Sequence, residues 1–409
     1  MEYYDSPRWT NEILDCGMPM TFDTYSNCSY NCSYCFSQFQ RGVGKPKEVY
    51  RKKEVKYVNV NKIKKMFLNP DKSQFGEYIK KRYVMQWGGL SDQFDEFERK
   101  YGITLELMKF FKSIKYPLSF STKSTWFLRD KRYLDVIKGT KDYWHFKISI
   151  ITLDEKKVKM VEAGIDSAQE RLENFKILKK LGNKATLRLR PFIIGVSDPS
   201  YIDLIKKSIK YGIDSVSLEF LCLEERSKNI AEQQYKKISD ACGFDVFKFY
   251  KQNSSGAGYL RLNYKTKIKY ANEIIKLCKR NKVRLAVSDA HLKTLGNCGC
   301  CCGVPENWKF FRGQLTNAIQ ICKKQNKGVT FEDLKPDIDL FKKIKFEKAK
   351  GFNTTSNKKR AVFREFSLYD LIRNKWNQPK KGGSPFKYTD KRFIPVKVDK
   401  KKNVMYEIR

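Results

Sequence analysis

Cys28, Cys32 and Cys35 lie within the run Cys28-Ser29-Tyr30-Asn31-Cys32-Ser33-Tyr34-Cys35-Phe36. Three thiolates this close suit three irons of a cubane 4Fe-4S cluster, with the fourth iron left open to a small-molecule ligand. The competing chemistry is structural zinc, which takes four ligands, usually supplied as two separated pairs. The only two histidines, His145 and His291, are far from the run in sequence. The spacing therefore favours the open cluster over zinc.

Such a loop needs a scaffold, and short apolar or β-branched runs alternating with longer amphipathic stretches predict βα units and a parallel sheet. Strands are expected at Met20 to Thr24, Tyr83 to Trp87, Leu118 to Thr122, Phe146 to Ile150, Thr186 to Pro191, Ser215 to Phe220 and Val283 to Ser288. Helices are expected at Thr104 to Ile114, Ala168 to Leu181, Tyr201 to Tyr211 and Tyr270 to Asn281, with Gly182 and Gly212 as stops. The cysteine loop follows the first strand, where a (βα) barrel collects its functional residues. The expected architecture is α/β, a partial (βα) TIM-type barrel over residues 1–307. A basic stretch, 40–81, is inserted in it, a cysteine-rich segment occupies 296–303, and a basic, aromatic-containing extension follows over 308–409.

The 409-residue chain carries 83 basic and 45 acidic residues, a net charge of +38, with 41% hydrophobic content. That is a folded protein whose field attracts polyanions, so nucleic acid is the expected partner. The basic runs include Lys45-Pro46-Lys47, Arg51-Lys52-Lys53, Lys358-Lys359-Arg360, Lys380-Lys381 and Lys400-Lys401-Lys402. Phe363, Phe366, Tyr369, Trp376, Phe386, Tyr388 and Phe393 are interleaved with them, which reads either as a solvated tail or as a cationic arm able to stack on bases. No apolar run is long enough to span a bilayer and the start, Met1-Glu2-Tyr3-Tyr4-Asp5, lacks a signal pattern, so a cytoplasmic location without a membrane partner is expected. Twelve cysteines bunched at two places fit metal or redox use in a reducing cell.

The Cys-x3-Cys-x2-Cys spacing with Tyr34 before the last cysteine resembles the signature of the radical S-adenosylmethionine (radical SAM) superfamily. Further stretches resemble its spore photoproduct lyase-like branch. These are Gly88-Gly89-Leu90-Ser91-Asp92 running on to Glu98, with Gln93 where that branch has proline, and Ser121-Thr122-Lys123-Ser124. They continue with Ile150 to Asp154 followed by Ala168-Gln169-Glu170-Arg171-Leu172, and with Arg188-Leu189-Arg190-Pro191 to Gly195. The resemblance implies a 4Fe-4S cluster on Cys28, Cys32 and Cys35 with SAM at the open iron. It also implies Tyr34 on the adenine side, Gly88, Gly89, Ser91 and Asp92 around the methionine part, Ser149 near ribose or methionine, and Arg188 or Arg190 on the carboxylate. The implied activity is reductive cleavage of SAM and abstraction of a substrate hydrogen atom, with an electron donor such as a flavodoxin or ferredoxin.

The run Cys298-Gly299-Cys300-Cys301-Cys302 is the second cysteine group. It reads as an auxiliary iron-sulfur or zinc site, as a redox thiol, or as inert packing. The resemblance adds a hydrogen-atom donor, since the repair enzymes of that branch use a cysteine for this step. A four-ligand metal site would need His291, Cys278 or Cys322. Cys16, Cys222, Cys242, Cys278 and Cys322 read singly as buried small hydrophobes. For the whole chain the leading function is a radical SAM lyase or modifying enzyme that acts on nucleic acid, in base repair or modification. The alternatives are a peptide- or small-molecule-modifying radical SAM enzyme with an auxiliary cluster, and a non-enzymatic basic nucleic-acid-binding metalloprotein.

Overall fold

The computed structural model describes residues 3, 6–10, 14–37, 52–224, 228–255, 259–344 and 366–409. Its strands are β1 (Arg8–Trp9), β2 (Met20–Phe22), β3 (Asn31–Cys32), β4 (Met85–Trp87), β5 (Leu118–Thr122), β6 (Trp144–Ser149), β7 (Glu162–Ala163), β8 (Lys184–Phe192), β9 (Ser215–Phe220), β10 (Cys222–Glu224), β11 (Ser254–Ser255), β12 (Tyr259–Leu262), β13 (Arg284–Val287), β14 (Phe393–Val398) and β15 (Val404–Ile408). Eight form one open sheet in the order β1-β2-β4-β5-β6-β8-β9-β13. Within it β5, β6, β8 and β9 run parallel, with Thr122 opposite Ile148 and Ser149 opposite Arg188. This is the partial α/β barrel that the strand succession predicts, and all seven expected strands are in it. The two-residue β1, antiparallel to β2, is additional; it is too short for any alternation to reveal.

Local chemistry sets the helix bounds. Ser167 and Glu170 form a capping box that starts Ala168–Lys180. Gly212, at φ +96°, ends Tyr201–Tyr211 in the left-handed region that favours glycine. The helix expected from Tyr270 begins earlier, at Tyr264, because the Asn263 side chain caps it by accepting from the Thr266 amide.

The chain divides into two compact units. The first comprises Met1–Ser6, Asp23–Asn61 and Trp87–Leu285. Its core is aromatic: Phe120 stacks on Trp87 at 5.2 Å and on Phe146 at 4.9 Å, and Phe94 stacks on Phe127 at 3.8 Å between centroids. Every residue of β5 and β6 is buried, as in a sheet covered on both faces. His145 lies in that layer, bonded to Ser119 and Thr186, and is a satisfied core residue.

The second unit comprises Pro7–Phe22, Lys62–Gln86 and Ala286–Arg409. Trp9 packs against Phe75 and Phe341. The antiparallel hairpin β14–β15 closes over Trp376, whose indole donates to the Val404 carbonyl at 2.9 Å. Trp376, Phe393 and Tyr406 are fully buried against one another. This corrects the stacking-arm reading for Trp376 and Phe393: they form a small core, because a hairpin this short needs aromatic burial to hold. Tyr388 is half-buried, and its hydroxyl donates to Asp15 at 2.9 Å. The runs at Lys45 to Lys47 and Lys358 to Arg360, together with Arg51 and Phe363, lie outside the described residues. Among the described residues no helix is long and apolar enough to cross a membrane.

Candidate active site

The first unit carries the triad on the loop that follows β2. Polar clasps hold the loop's backbone. Asp95 accepts from the Ser29 amide at 2.6 Å, and the Lys53 ammonium donates to the carbonyls of Cys28 and Tyr30 at 2.9 and 3.0 Å. β3 pairs with β7, setting Cys32 opposite Glu162, and the Ser33 amide donates to the Val161 carbonyl at 2.8 Å. None of the three cysteines is in a disulfide, and all are half-buried. Burial pushes the Cys28 thiol well up, aided by the Asp95 and Asp92 charges. The Cys32 thiol is pushed up to about 12 by burial, against the opposing charge of Lys123. Among the described residues no three Cys, His, Asp or Glu side chains already stand in a metal-holding arrangement.

The turn after β4 is built on one carboxylate. Asp23 accepts from the amides of Gly89, Leu90 and Ser91 at 2.8, 2.8 and 3.1 Å. Gly88 has φ +86°, and a Cβ there would stand 2.2 Å from Gln93 Oε1 and 2.6 Å from the Ser121 carbonyl, so this position excludes a side chain. Both polar atoms of the Gln93 amide are buried without a hydrogen-bond partner. Ser91 donates to the Tyr25 carbonyl at 2.9 Å. Asp92 accepts from Thr122 Oγ1 and from the Lys123 amide, both at 2.7 Å, tying the turn to the end of β5. Burial raises the Asp92 carboxyl, and it pushes Asp95 up to about 7.

A charged cluster lies beside Cys32. Tyr34 donates to Glu162, which is ion-paired with Arg171 at 2.8 Å in full burial. Arg171 also donates to the Ser149 carbonyl at 2.9 Å, and the Lys123 ammonium lies 5.7 Å from the Tyr34 ring centroid. The Glu162–Arg171 approach lacks hydrogen-bond geometry, so Glu162 Oε2 and Arg171 Nη2 are buried without a hydrogen-bond partner. Buried polar atoms of this kind are costly unless something pairs with them. The Lys123 charge is held up against its own burial by Cys32 and Glu162.

Of the residues singled out from sequence, Tyr34 and Ser149 thus meet in one cluster with Cys32. Gly88, Gly89, Ser91 and Asp92 build the neighbouring turn. Arg190 is bonded to Glu219 on the adjacent strand, its Nε donating at 2.7 Å. Lys53, Asp95, Lys123, Glu162 and Arg171 were given no role by the sequence reading. Asp95, Lys123 and Arg171 lie inside stretches quoted for the resemblance, which is the available signal for them.

The second cysteine group lies in the second unit, with Cys298, Cys300 and Cys301 buried and Cys302 half-buried. Cys16 also belongs there. It is half-buried and packs with Cys300 and Cys302 in one apolar cluster, so it is not the isolated hydrophobe that its sequence position suggests.

No protein-family model and no curated protein sequence matches the chain. Solved structures do. A doubly substituted spore photoproduct lyase with bound AdoMet and dinucleoside spore photoproduct is similar at TM-score 0.50 and 18% identity, over 68% of this chain and 80% of that one. A cysteine-to-serine variant of the same enzyme is similar at TM-score 0.50 and 16% identity, over 70% and 78%. The likeness of fold and the motif resemblance thus point the same way: this chain has the fold of spore photoproduct lyase.

Proposed function

We propose that the chain is a radical SAM enzyme that acts on nucleic acid. The observation that carries the first part is the clasped loop bearing Cys28, Cys32 and Cys35, next to a buried charged cluster with unpaired hydrogen-bonding atoms. The donor set fits the implied cofactors. Three thiols outside any disulfide suit a cubane with one open iron, and Arg171 Nη2 is buried without a hydrogen-bond partner. Cys28, Cys32 and Cys35 would hold the cluster, and Tyr34, Ser149 and the Gly88–Asp92 turn would adjoin SAM. When bound, the pair supplies one-electron cleavage of SAM and hydrogen-atom abstraction.

The chain's own residues do the positioning. Asp95 and Lys53 fix the loop backbone before any cofactor arrives, which lowers the ordering cost of binding. Lys123 and Arg171 place positive charge beside Cys32, favouring its thiolate against the effect of burial.

The net charge of +38 supports nucleic acid as the substrate class, and the similar structure holding dinucleoside spore photoproduct agrees with it. A base within a duplex would have to be extruded, or the enzyme acts on single strands. Reconstituted protein with dithionite and SAM is expected to yield methionine and 5'-deoxyadenosine, and Cys32→Ala to yield neither. Oligonucleotide binding is expected to weaken steeply with salt; weak, salt-insensitive binding would remove nucleic acid as substrate while leaving the SAM chemistry standing.

A further inference from the structure

The second unit holds four thiols that the first site does not use. The Sγ atoms of Cys301 and Cys302 are 3.9 Å apart. Cys300 belongs to a buried cluster against which both Cys16 and Cys302 pack. Cys300 Sγ presses on the backbone next to Cys16: a Cβ on Gly17 would stand 2.8 Å from it. Met18, Val84, Val304 and Phe310 are buried in one cluster with Cys300, and Trp308 packs against it; the Cys301 thiol faces the Asp15 carbonyl at 4.0 Å. The loop backbone is fixed by Glu306, which accepts from the Gly299 amide at 2.7 Å, and by Gln314, which donates to the Gly299 carbonyl at 2.6 Å.

The Cys298 thiol is directed at the Asn297 side chain at 3.8 Å. Four is the ligand number of a structural thiolate site. Zinc-to-sulfur bonds of about 2.3 Å in a tetrahedron put sulfurs about 3.8 Å apart, which the Cys301–Cys302 separation already matches. Cysteines on different irons of a cubane are held farther apart, so the spacing favours one ion over a cluster. As with Cys28, Cys32 and Cys35, the sulfurs do not yet surround a common point, and binding turns the thiols inward within a fixed backbone.

We infer that Cys16, Cys300, Cys301 and Cys302 bind a single soft divalent ion of the zinc class, with Cys16 as the ligand that the Cys298 to Cys302 run lacks. The ion ties the segment before β2 to the loop after β13. It is a structural site, independent of SAM cleavage.

The test uses the full chain prepared without oxygen and loaded with zinc, then dialysed against a weak chelator. One zinc per chain is expected to remain, and cobalt in its place should give the strong thiolate charge-transfer absorption of a tetrahedral site. Cys16→Ser and the half-buried, better tolerated Cys302→Ser should each weaken zinc retention by more than roughly tenfold, the lower bound for losing even an outer partner of a ligand. Cys298→Ser should retain it, and so should the triple serine variant of Cys28, Cys32 and Cys35. Zinc that persists in both Cys16→Ser and Cys302→Ser, or that leaves with the triple variant, overturns the inference. So does acid-labile sulfide bound to the triple variant, which would mean an iron-sulfur cluster at the second group. Loss of SAM cleavage alone bears only on the proposed enzyme.

Discussion

The two cysteine groups share a residue type and little else. The triad loop is held by ionic and polar clasps: Lys53 on two carbonyls, Asp95 on an amide, and Glu162 and Arg171 beside Cys32 with bonding capacity to spare. The second group packs with Met18, Val84, Val304 and Phe310, its backbone pinned and the Cys301 and Cys302 sulfurs 3.9 Å apart. A thiol in the first setting has charges nearby to stabilise a thiolate and partners waiting for a polar ligand. A thiol in the second has mainly other thiols and apolar walls, with the buried Asp15–Lys293 ion pair beside Cys301. The surroundings, more than the cysteine count, separate a site built for cofactor chemistry from one built to hold an ion.

The contrast breaks most directly at Cys32. Cys32→Ala should abolish iron uptake at the triad and SAM cleavage altogether, with zinc at the second group unchanged; iron and sulfide analysis beside zinc analysis reads both. If zinc falls with iron, the two groups are not the separate sites described. Next in size is Arg171→Met, which takes from the buried Glu162 its ion-pair partner. Losing one partner of a buried ion pair costs about 3–5 kcal/mol, read by denaturant unfolding, and adding Glu162→Gln should recover much of that loss. Recovery would show that the pair is held for its polar function more than for stability.

The sequence made part of this contrast legible. The triad spacing and the strand order could be read because short motifs and hydrophobic runs are local. Trp376 and Phe393 were misread because a hairpin core and a stacking arm share one composition, and only the pairing of β14 with β15 tells them apart. Cys16 was missed for a related reason: almost three hundred residues separate it from the run it joins, and no periodicity reports a contact of that range. Lys53 and Asp95 act on backbone atoms of the loop, which leaves no pattern in side-chain spacing.

Lys53→Met should have a smaller effect. It removes two charge-assisted bonds from a half-exposed ammonium, and with solvent screening the loss is about 1 kcal/mol. Its clearer sign would be slower iron loading of the triad with zinc retention unaltered, followed by absorbance during reconstitution. Unchanged loading would mean that the loop is ordered by β3 and β7 alone.

The finest distinction is in pH dependence. Burial pushes the Asp95 carboxyl up to about 7, above the ordinary aspartate value near 3.9. The folded chain therefore binds a proton that the unfolded chain has released between about pH 4 and 7. Asp95 thus favours the fold fully below about pH 4, and that contribution is lost as pH rises through 7. Asp92, also raised by burial, faces it and acts with the same sign. In the metal-free chain, Asp95→Asn should flatten the fall in melting temperature between about pH 4 and 7, where the folded chain alone still holds the proton. Cys302→Ser removes no carboxyl and should leave the slope as it is. A slope unaltered by Asp95→Asn would mean that the clasp on Ser29 stays ionised throughout, and that its hydrogen bonds outweigh the burial of its charge.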